Sequence, residues 1–546
     1  MVLRMSATQD LRLPDPDDAV LPRIIRRRAA ERPDDVFAVF LDGEVWTNGD
    51  LAKRVWRRAN GLMDLGVQRE DYVAVWLPTG KAALESWFAI NAVGARFTPL
   101  NPAYKGRILQ HALNLAQSRI LIAHVELLAE LEGLTLPHLE RVIAVGASKD
   151  DLVDSDVVHW DDCASTNDAC PPTVDQLDVW DEIALIFTSG TTGPSKGVRC
   201  SYLHHYTYAE NNFPPEIGDK DRFFLYNPLF HAGGTSIVYG ALQRNASLGV
   251  APRYSTDTFW DDAKKLGVTA GYIFAAMANF LRNKPESADD SANPIRYALL
   301  APMIADSKSF AKRFGMDVYT VYGSTEVPAV VRSGLNPDDF RASGKLVDPD
   351  NFEARIVDQF DREVPVGSVG ELIVRHSRPW SLNSGYKDMP EATVEAWRNG
   401  WYHTGDAFRR DDEDNYYFVD RVKDAIRRRG ENVSSLEVEE ELNEHPAVHE
   451  SACVAVPSEH GEDEIAAYVV LGEGMSVKFP ELVEHLQRRL PHFMVPRYFE
   501  FVSEIPRSAS SKIQKHKLRR LAITAATWDR EAAGITVSRV KLTQDV

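Results

Sequence analysis

The stretch Ile183-Ala-Leu-Ile-Phe-Thr-Ser-Gly-Thr-Thr-Gly-Pro-Ser-Lys-Gly-Val198 decides the reading of this chain. Ile183 to Phe187 are consecutive apolar residues, with the length and composition of a short buried strand. Residues 188–197 then hold three glycines, five hydroxyl residues, one proline and one lysine. Backbone N–H groups and hydroxyls in such a loop can converge on one anion, with Lys196 adding a mobile positive charge. A polyphosphate is the ligand it suits. It is not a Walker A loop, which needs Gly-Lys followed by Ser or Thr, because Lys196 follows Ser195 and precedes Gly197. Nor does a GxGxxG open the following helix, as a dinucleotide fingerprint requires. The bland alternative is a surface turn, since short Gly/Ser motifs mislead. The rest of the chain has to decide.

A chain of 546 residues is too long for one core, so two or more domains are expected. Apolar content of 44% and charged content of 26% are ordinary for a soluble globular protein. With 62 Lys and Arg against 80 Asp and Glu, the net charge is −18. That disfavours nucleic acid or an anionic membrane as the main partner. Cys163, Cys170, Cys200 and Cys453 show no metal-ligand spacing and read as reduced thiols of a cytoplasmic protein. The first 18 residues lack the apolar core of a signal peptide, and no apolar run is long enough to span a bilayer. Peripheral membrane contact stays open, as does the oligomeric state.

Outward from the loop, residues 1–20 read as a loose leader. Leu21 to Arg32 has helical spacing, with Arg26-Arg27-Arg28 as its solvated face. A hairpin is expected around Asp42-Gly43, a helix from Asn48 through Leu65, a strand at Tyr72–Leu77 and a helix from about Gly80. Asn101 to Ile122 reads as loop, helix and strand. Strands and helices alternate to about residue 335, the signature of a layered α/β domain with parallel sheets. Residues 147–180 are polar and acidic and read as a surface connection. Ser201 can cap a helix through Glu210.

Further segments carry candidate chemistry. In Tyr226-Asn-Pro-Leu-Phe-His-Ala-Gly-Gly234, glycines beside His231 allow close backbone approach to a small ligand, although a lone His is more often a satisfied core residue. In Asp317-Val-Tyr-Thr-Val-Tyr-Gly-Ser-Thr-Glu326 an apolar strand ends in Tyr-Gly-x-Thr-Glu. There Tyr322 can stack on a base, Thr325 can bond a phosphate oxygen and Glu326 can hold Mg2+ against a triphosphate. Gly400-Trp-Tyr-His-Thr-Gly-Asp406 offers a carboxylate for ribose hydroxyls. The run Asp411 to Asp414 is a hairpin loop. Beyond Val419-Asp-Arg-Val-Lys-Asp-Ala-Ile-Arg-Arg-Arg-Gly-Glu-Asn-Val433, Leu436 to Leu442 reads as an acidic amphipathic helix opening a new α+β pattern. The last motif is Ile505-Pro-Arg-Ser-Ala-Ser-Ser-Lys-Ile-Gln-Lys515, and residues 523–546 read as a polar tail.

Together, in this order, these motifs resemble the adenylate-forming superfamily of acyl- and aryl-CoA ligases, luciferases and peptide-synthetase adenylation domains, over roughly residues 30–520. The resemblance implies a large layered N-terminal α/β domain (21–421) and a small mobile α+β lid domain (424–522), with ATP, Mg2+ and CoA as cofactors. It implies that Thr188, Ser189, Gly190, Thr191, Thr192, Gly193, Lys196, Ala301, Tyr322, Gly323, Thr325, Asp406, Arg421 and Lys512 bind ATP or AMP. Glu326 binds the metal, and Lys512, Lys196 and Glu326 are catalytic. Lys423 is the hinge, Arg429 and Gly430 border the CoA channel, and His231, Thr235, Tyr239 and Met303 line the acyl pocket. Three departures stand out. Leu299 and Leu300 replace two glycines usual before Ala301-Pro302, making the pocket wall bulkier. Asp420 replaces Gly before the hinge arginine, and Ser511 replaces Gly before Lys512. Gly430-Glu-Asn-Val-Ser434, with Asp420, is similar to the carnitine/crotonobetaine-CoA ligase branch. The implied function is ATP-dependent activation of a carboxylic acid and formation of its CoA thioester. Transfer to a carrier-protein thiol, or nucleotide binding without catalysis, remain the alternatives.

Overall fold

The loop at 188–196 closes a β-hairpin. Strand Glu182–Thr188 runs antiparallel to Lys196–Ser201, and the ladder ends on the pair Thr188 and Lys196. The computed structural model describes residues 10, 12–147, 157–188, 195–304, 306–421, 426–428, 431–433, 435–458, 461–506, 513, 515–521 and 523–537. Ser189 to Gly193 therefore lie outside the described residues, as do Lys423, Arg429, Gly430, Ser511 and Lys512.

The hairpin forms one edge of a seven-stranded sheet in the order Val157–His159, Arg141–Val145, Ile120–His124, Tyr72–Trp76, Arg96–Pro99, Glu182–Thr188, Lys196–Ser201. A second seven-stranded sheet runs Asp317–Tyr319, Tyr297–Ala301, Ala270–Phe274, Arg222–Leu225, Ser247–Val250, Val36–Phe40, Val45–Thr47. Both are parallel except for one hairpin at an edge. Helices lie between them, and Lys81–Val93 is buried from Ala82 to Val93 without a solvent face. That explains its mostly apolar sequence, because a helix covered on all sides needs no polar stripe, and its buried Glu85 and Asn91 are paired with Arg58 and with the carbonyls of Ala95 and Ile183. One apolar cluster joins both sheets through this helix, Tyr202–Asn212 and Ala232–Gln243.

A four-stranded antiparallel sheet follows, Phe352–Val357, Gly370–His376, Tyr402–Arg410 and Tyr416–Arg421, with Asp411 to Asp414 in its last turn. The smaller C-terminal domain is built on Val448–Pro457, Asp463–Leu471, Tyr498–Phe501 and Trp528–Asp529, with helices Ser435–Asn443 and Phe479–Gln487. Its apolar cluster extends to Ile108 of the large domain. Among the described residues, no helix is long and apolar enough to cross a membrane, and all four cysteines are free.

Local chemistry explains the helix starts. Thr47 caps Asn48–Asp64 in a reciprocal box with Asp50, one residue before the expected start. The Ser201 hydroxyl accepts from the His204 N–H, as expected of a cap.

Four expectations change. Residues 12–20 are not loose: Pro16–Ala19 is a helical turn, Ala19 and Val20 are fully buried, and the Tyr239 hydroxyl donates to the Ala19 carbonyl. Arg28 is not solvated. It is 2% exposed, and its guanidinium donates to Ala241 O (3.1 Å), Leu242 O (3.3 Å) and Ala246 O (2.9 Å), the carbonyls left over at the end of helix Ala232–Gln243. Burial pulls its pKa down to about 10. Segment 147–180 is more than a surface connection, since it adds the edge strand Val157–His159 and buries Cys163, Val174, Leu177 and Val179. The stretch read as a polar tail returns to the small sheet: Trp528 and Asp529 pair with Phe499 and Tyr498, and Asp529 is clamped by Arg497 at 2.9 Å.

Candidate active site

Lys196 owes its position to two strand pairings. One is the hairpin ladder described above. The other is a segment distant in sequence: Arg199 N donates to Gly385 O (3.0 Å), Ser384 N to Arg199 O (2.9 Å) and Lys387 N to Gly197 O (2.9 Å). This pairing lays the Tyr386 ring beneath Lys196, whose Nζ sits 4.6 Å from the ring centroid. The ammonium of the lysine is thus placed over an aromatic face. The Tyr386 hydroxyl donates to Glu326 Oε1 at 3.1 Å and lies 3.3 Å from the Tyr402 hydroxyl. Ser324 Oγ donates to Glu326 Oε2 at 3.1 Å. The Glu326 carbonyl receives Asn383 N (3.1 Å) and Nδ2 (3.0 Å), which fixes the turn carrying the carboxylate. Burial, then the neighbouring Glu326 charge, push the Tyr386 hydroxyl far above its ordinary pKa, so it stays a donor.

The same turn packs closely on Gly323: a Cβ there would lie 3.0 Å from Ala329 N and 3.1 Å from Pro328 C. Just before it, Tyr322 ends a short strand, and its hydroxyl donates to Asp406 Oδ2 at 2.6 Å. Asp406 pairs directly with Arg421 in the antiparallel ladder. Thus Tyr322, Asp406 and the Arg421 backbone meet, and Lys196 meets Glu326 through Tyr386.

Glu326 supplies carboxylate oxygens bordered by two hydroxyls, a hard-oxygen environment that fits Mg2+ when phosphate oxygens complete the shell. Among the described residues, no group of three or more His, Cys, Asp or Glu could hold a metal by itself. A shared metal–phosphate site is the chemistry this donor set allows.

His231 precedes helix Ala232–Gln243, and the chain turns tightly there because Gly234 packs on Pro228, whose carbonyl would lie 2.1 Å from an added Cβ. His231 Nε2 lies 2.8 Å from Glu431 Oε2 of the small domain, near enough for ion pairing although not aligned as a hydrogen bond. Met303 is partly buried at the edge of an apolar cluster, and Ala301 ends its strand at 9% exposure. Thr235 and Tyr239 are fully buried. Thr235 Oγ1 donates to Ala232 O (3.1 Å) and lies 3.2 Å from His205 Nε2, so both side chains are committed inside the helical layer. Leu299 and Leu300 do not bulk out a pocket wall. The strand alternates them onto opposite faces, where each is fully buried in a different core cluster.

Tyr386, Tyr402 and Glu431 in its contact with His231 were not anticipated. Gly385, at φ +94, immediately before Tyr386 is the single local hint of an irregular approach. A second unanticipated contact joins the domains: Glu437 Oε1 accepts from Ser195 N (2.9 Å) and Ser195 Oγ (2.8 Å). Burial pushes the Glu437 carboxyl up to about 7.

The family pattern of AMP-binding enzymes matches residues 25–386, and that of the AMP-binding enzyme C-terminal domain matches residues 437–512. The chain is 27% identical over 478 residues to crotonobetaine/carnitine–CoA ligase of Citrobacter koseri, covering 86% of this chain and 92% of that protein. It is 28% identical over 484 residues to the enzyme of the same name from Escherichia coli, with the same coverage. Among solved structures, a double mutant of o-succinylbenzoate CoA synthetase from Bacillus subtilis superposes with a TM-score of 0.78 at 23% identity, covering 91% of this chain and 98% of that one. The amide bond synthetase McbA from Marinactinospora thermotolerans superposes at 0.77 with 24% identity, covering 92% and 99%. The chain therefore belongs to the AMP-binding enzyme family.

Proposed function

We propose that the protein is an AMP-forming acid–thiol ligase: it joins a carboxylic acid to AMP, releasing pyrophosphate, and then passes the acyl group to the CoA thiol. The observation that carries this reading is the seating of Lys196 and Glu326 on one tyrosine, with the Tyr322–Asp406 pair on the same turn. A cation and a metal-binding carboxylate held together suit a triphosphate, and a base-sized ring beside a carboxylate suits a nucleoside. The names of the relatives, crotonobetaine/carnitine–CoA ligases, support it.

A carboxylate resists nucleophilic attack because it is charged. Transfer to the α-phosphorus turns one of its oxygens into part of a leaving group. The attacking acid is already ionised near neutral pH, so that step needs no general base. It needs positive charge where the phosphorus oxygens gain negative charge. Lys196 supplies one such charge from its fixed seat, and Lys512 supplies another. When bound at Glu326, Mg2+ would neutralise charge on the phosphates. Tyr386 and Ser324 hold the Glu326 oxygens in place, and Asp406 accepts from ribose hydroxyls. His231 and Met303 border the acyl group, whereas the committed hydroxyls of Thr235 and Tyr239 set the position of the helix behind them. In the second step, turning at Lys423 exchanges the Lys512 loop for the segment 429–431. The His231–Glu431 contact is consistent with that second arrangement.

The test is pyrophosphate release from ATP, Mg2+ and CoA against short, medium-chain, aromatic, steroid and quaternary-ammonium carboxylic acids, with mass detection of products. An acyl-CoA from one class is the expected result and names the substrate group. Acyl-AMP without acyl-CoA would redirect the acceptor to a carrier-protein thiol. ATP binding without any turnover would sink the ligase reading in favour of a non-catalytic nucleotide binder.

A further inference from the structure

Among the described residues of the phosphate loop, Ser195 meets the small domain. Ser195 is 3% exposed, and both its donors, the backbone N–H and the hydroxyl, end on a single oxygen of Glu437. Glu437 stands in the first turn of helix Ser435–Asn443, and the same helix carries Glu441. Glu441 lies 3.0 Å from Arg107 Nε, and Glu444, just past the helix, lies 3.2 Å from Arg107 Nη2. Ile108, beside that arginine, joins the small-domain apolar cluster with Val438 and Leu442. Tyr104 is partly buried, packed against the same apolar cluster and close to Glu437, Glu431 and Ser195. On the large-domain side, His111 Nε2 lies 2.9 Å from the Ser195 carbonyl. The docked helix therefore presents Glu437 to the loop and Glu441 to Arg107, while Glu439 turns back to Lys515 of its own domain.

A carboxylate oxygen and a phosphate oxygen are the same kind of acceptor for an N–H and a hydroxyl. One position cannot hold both, and two anions on one donor pair repel. We propose that Glu437 is a latch that competes with a polyphosphate for Ser195, so that the small domain docks in this arrangement only onto an emptied phosphate loop. This rests on the polyphosphate reading of that loop. The latch ties two events: the contact that brings Glu431 beside His231 forms together with the one that occupies Ser195. Departure of pyrophosphate then becomes the condition for the small domain to settle, and a settled small domain opposes its return. Glu437 acts here as a positioning residue and touches no reacting atom.

Magnesium pyrophosphate is the probe, titrated calorimetrically into the full chain with no acid substrate needed. Glu437→Ala removes the competitor and is expected to tighten pyrophosphate binding about tenfold, the scale of a charged hydrogen-bonding partner. Glu437→Gln keeps an acceptor for Ser195 without the buried charge and is expected to bind pyrophosphate no more tightly than the unsubstituted protein. Arg107→Ala, an exposed substitution outside the loop, is expected to tighten binding about twofold, since its ion pairs are solvent-screened. Small-angle scattering supplies a second readout: pyrophosphate is expected to expand the unsubstituted protein, and Glu437→Ala is expected to be expanded without it. Equal affinity in all four proteins, or weaker binding in Glu437→Ala, overturns the latch while leaving the ligase reading intact. No pyrophosphate binding by the unsubstituted protein overturns the polyphosphate reading itself.

Discussion

The two halves of the site are built in opposite ways. On the side proposed for the nucleotide, Lys196, Tyr386, Glu326, Tyr322 and Asp406 all belong to the large domain and are held by strand ladders and the hydrogen-bonded turn at 322–330. On the side proposed for the acyl group and the thiol, His231 meets Glu431 and Ser195 meets Glu437, and each contact crosses from one domain to the other. The first half cannot be undone without unfolding a sheet. The second can be undone by moving a small domain held by a few side chains and one apolar patch. The two-step reaction proposed above would need this asymmetry, because its nucleotide grip must persist while the surroundings are exchanged.

Acid is expected to separate the halves most strongly. His205 is fully buried in the large domain, and burial pulls its pKa down to about 4 from 6.5. Its neutral form is favoured by folding, so its contribution is whole above pH 6.5 and is lost as pH falls toward 4, about 3 kcal/mol in all. Urea unfolding of the large domain at pH 7 and pH 5 should reveal a clear loss. An unchanged midpoint would mean that the histidine is solvated.

Next in size is Lys512→Ala, expected to cut adenylation about a hundredfold or more, as loss of one transition-state charge donor does. Thioester formation from supplied acyl-AMP should survive. If both half-reactions fall together, Lys512 does not serve the first step alone. Tyr386→Phe keeps the ring under Lys196 but deletes the hydroxyl on Glu326, a charge-assisted bond of about 1.5 kcal/mol. Acid-dependent pyrophosphate exchange should drop about tenfold while the thioester step and thermal stability hardly move. Equal loss in both steps would make the tyrosine a general packing residue.

The smallest expected effect has the opposite sign to the first. Glu437, facing Ser195 and Tyr104 across the interface with Glu440 on its own helix, is raised to about 7. Its contribution to docking is whole below its ordinary 4.5 and is lost as pH rises through about 7. Scattering at pH 6 and pH 8 should show a slightly more extended molecule at the higher pH. A more compact one would contradict the assignment.

Much of the large domain was legible because its signals are local. Ile183–Phe187 announced a strand, Ser201 a cap, and Asp411 to Asp414 a turn. The motif residues Lys196, Glu326, Tyr322 and Asp406 were legible for the same reason, as each sits in a short characteristic run. What failed was what depends on partners remote in sequence. Arg28 looked solvated because its run is basic, yet the end of a helix some two hundred residues later supplies its acceptors. Trp528 looked like tail because two residues carry no period, and only Tyr498 and Phe499 make them a strand. Leu299 and Leu300 looked obstructive until the sheet assigned each to a separate core. Tyr386 lacks any motif, since its role consists of lying under Lys196.

That bridge between Val198 and Tyr386 has a kinetic consequence. The phosphate hairpin closes over a few residues, whereas the tyrosine reaches it only after a loop of about 190 residues has been brought together. Loop closure on that scale is slow, and its entropy is lost before any contact compensates. During refolding the hairpin should therefore form early with its lysine unseated, and the seat beneath it should arrive in a later phase.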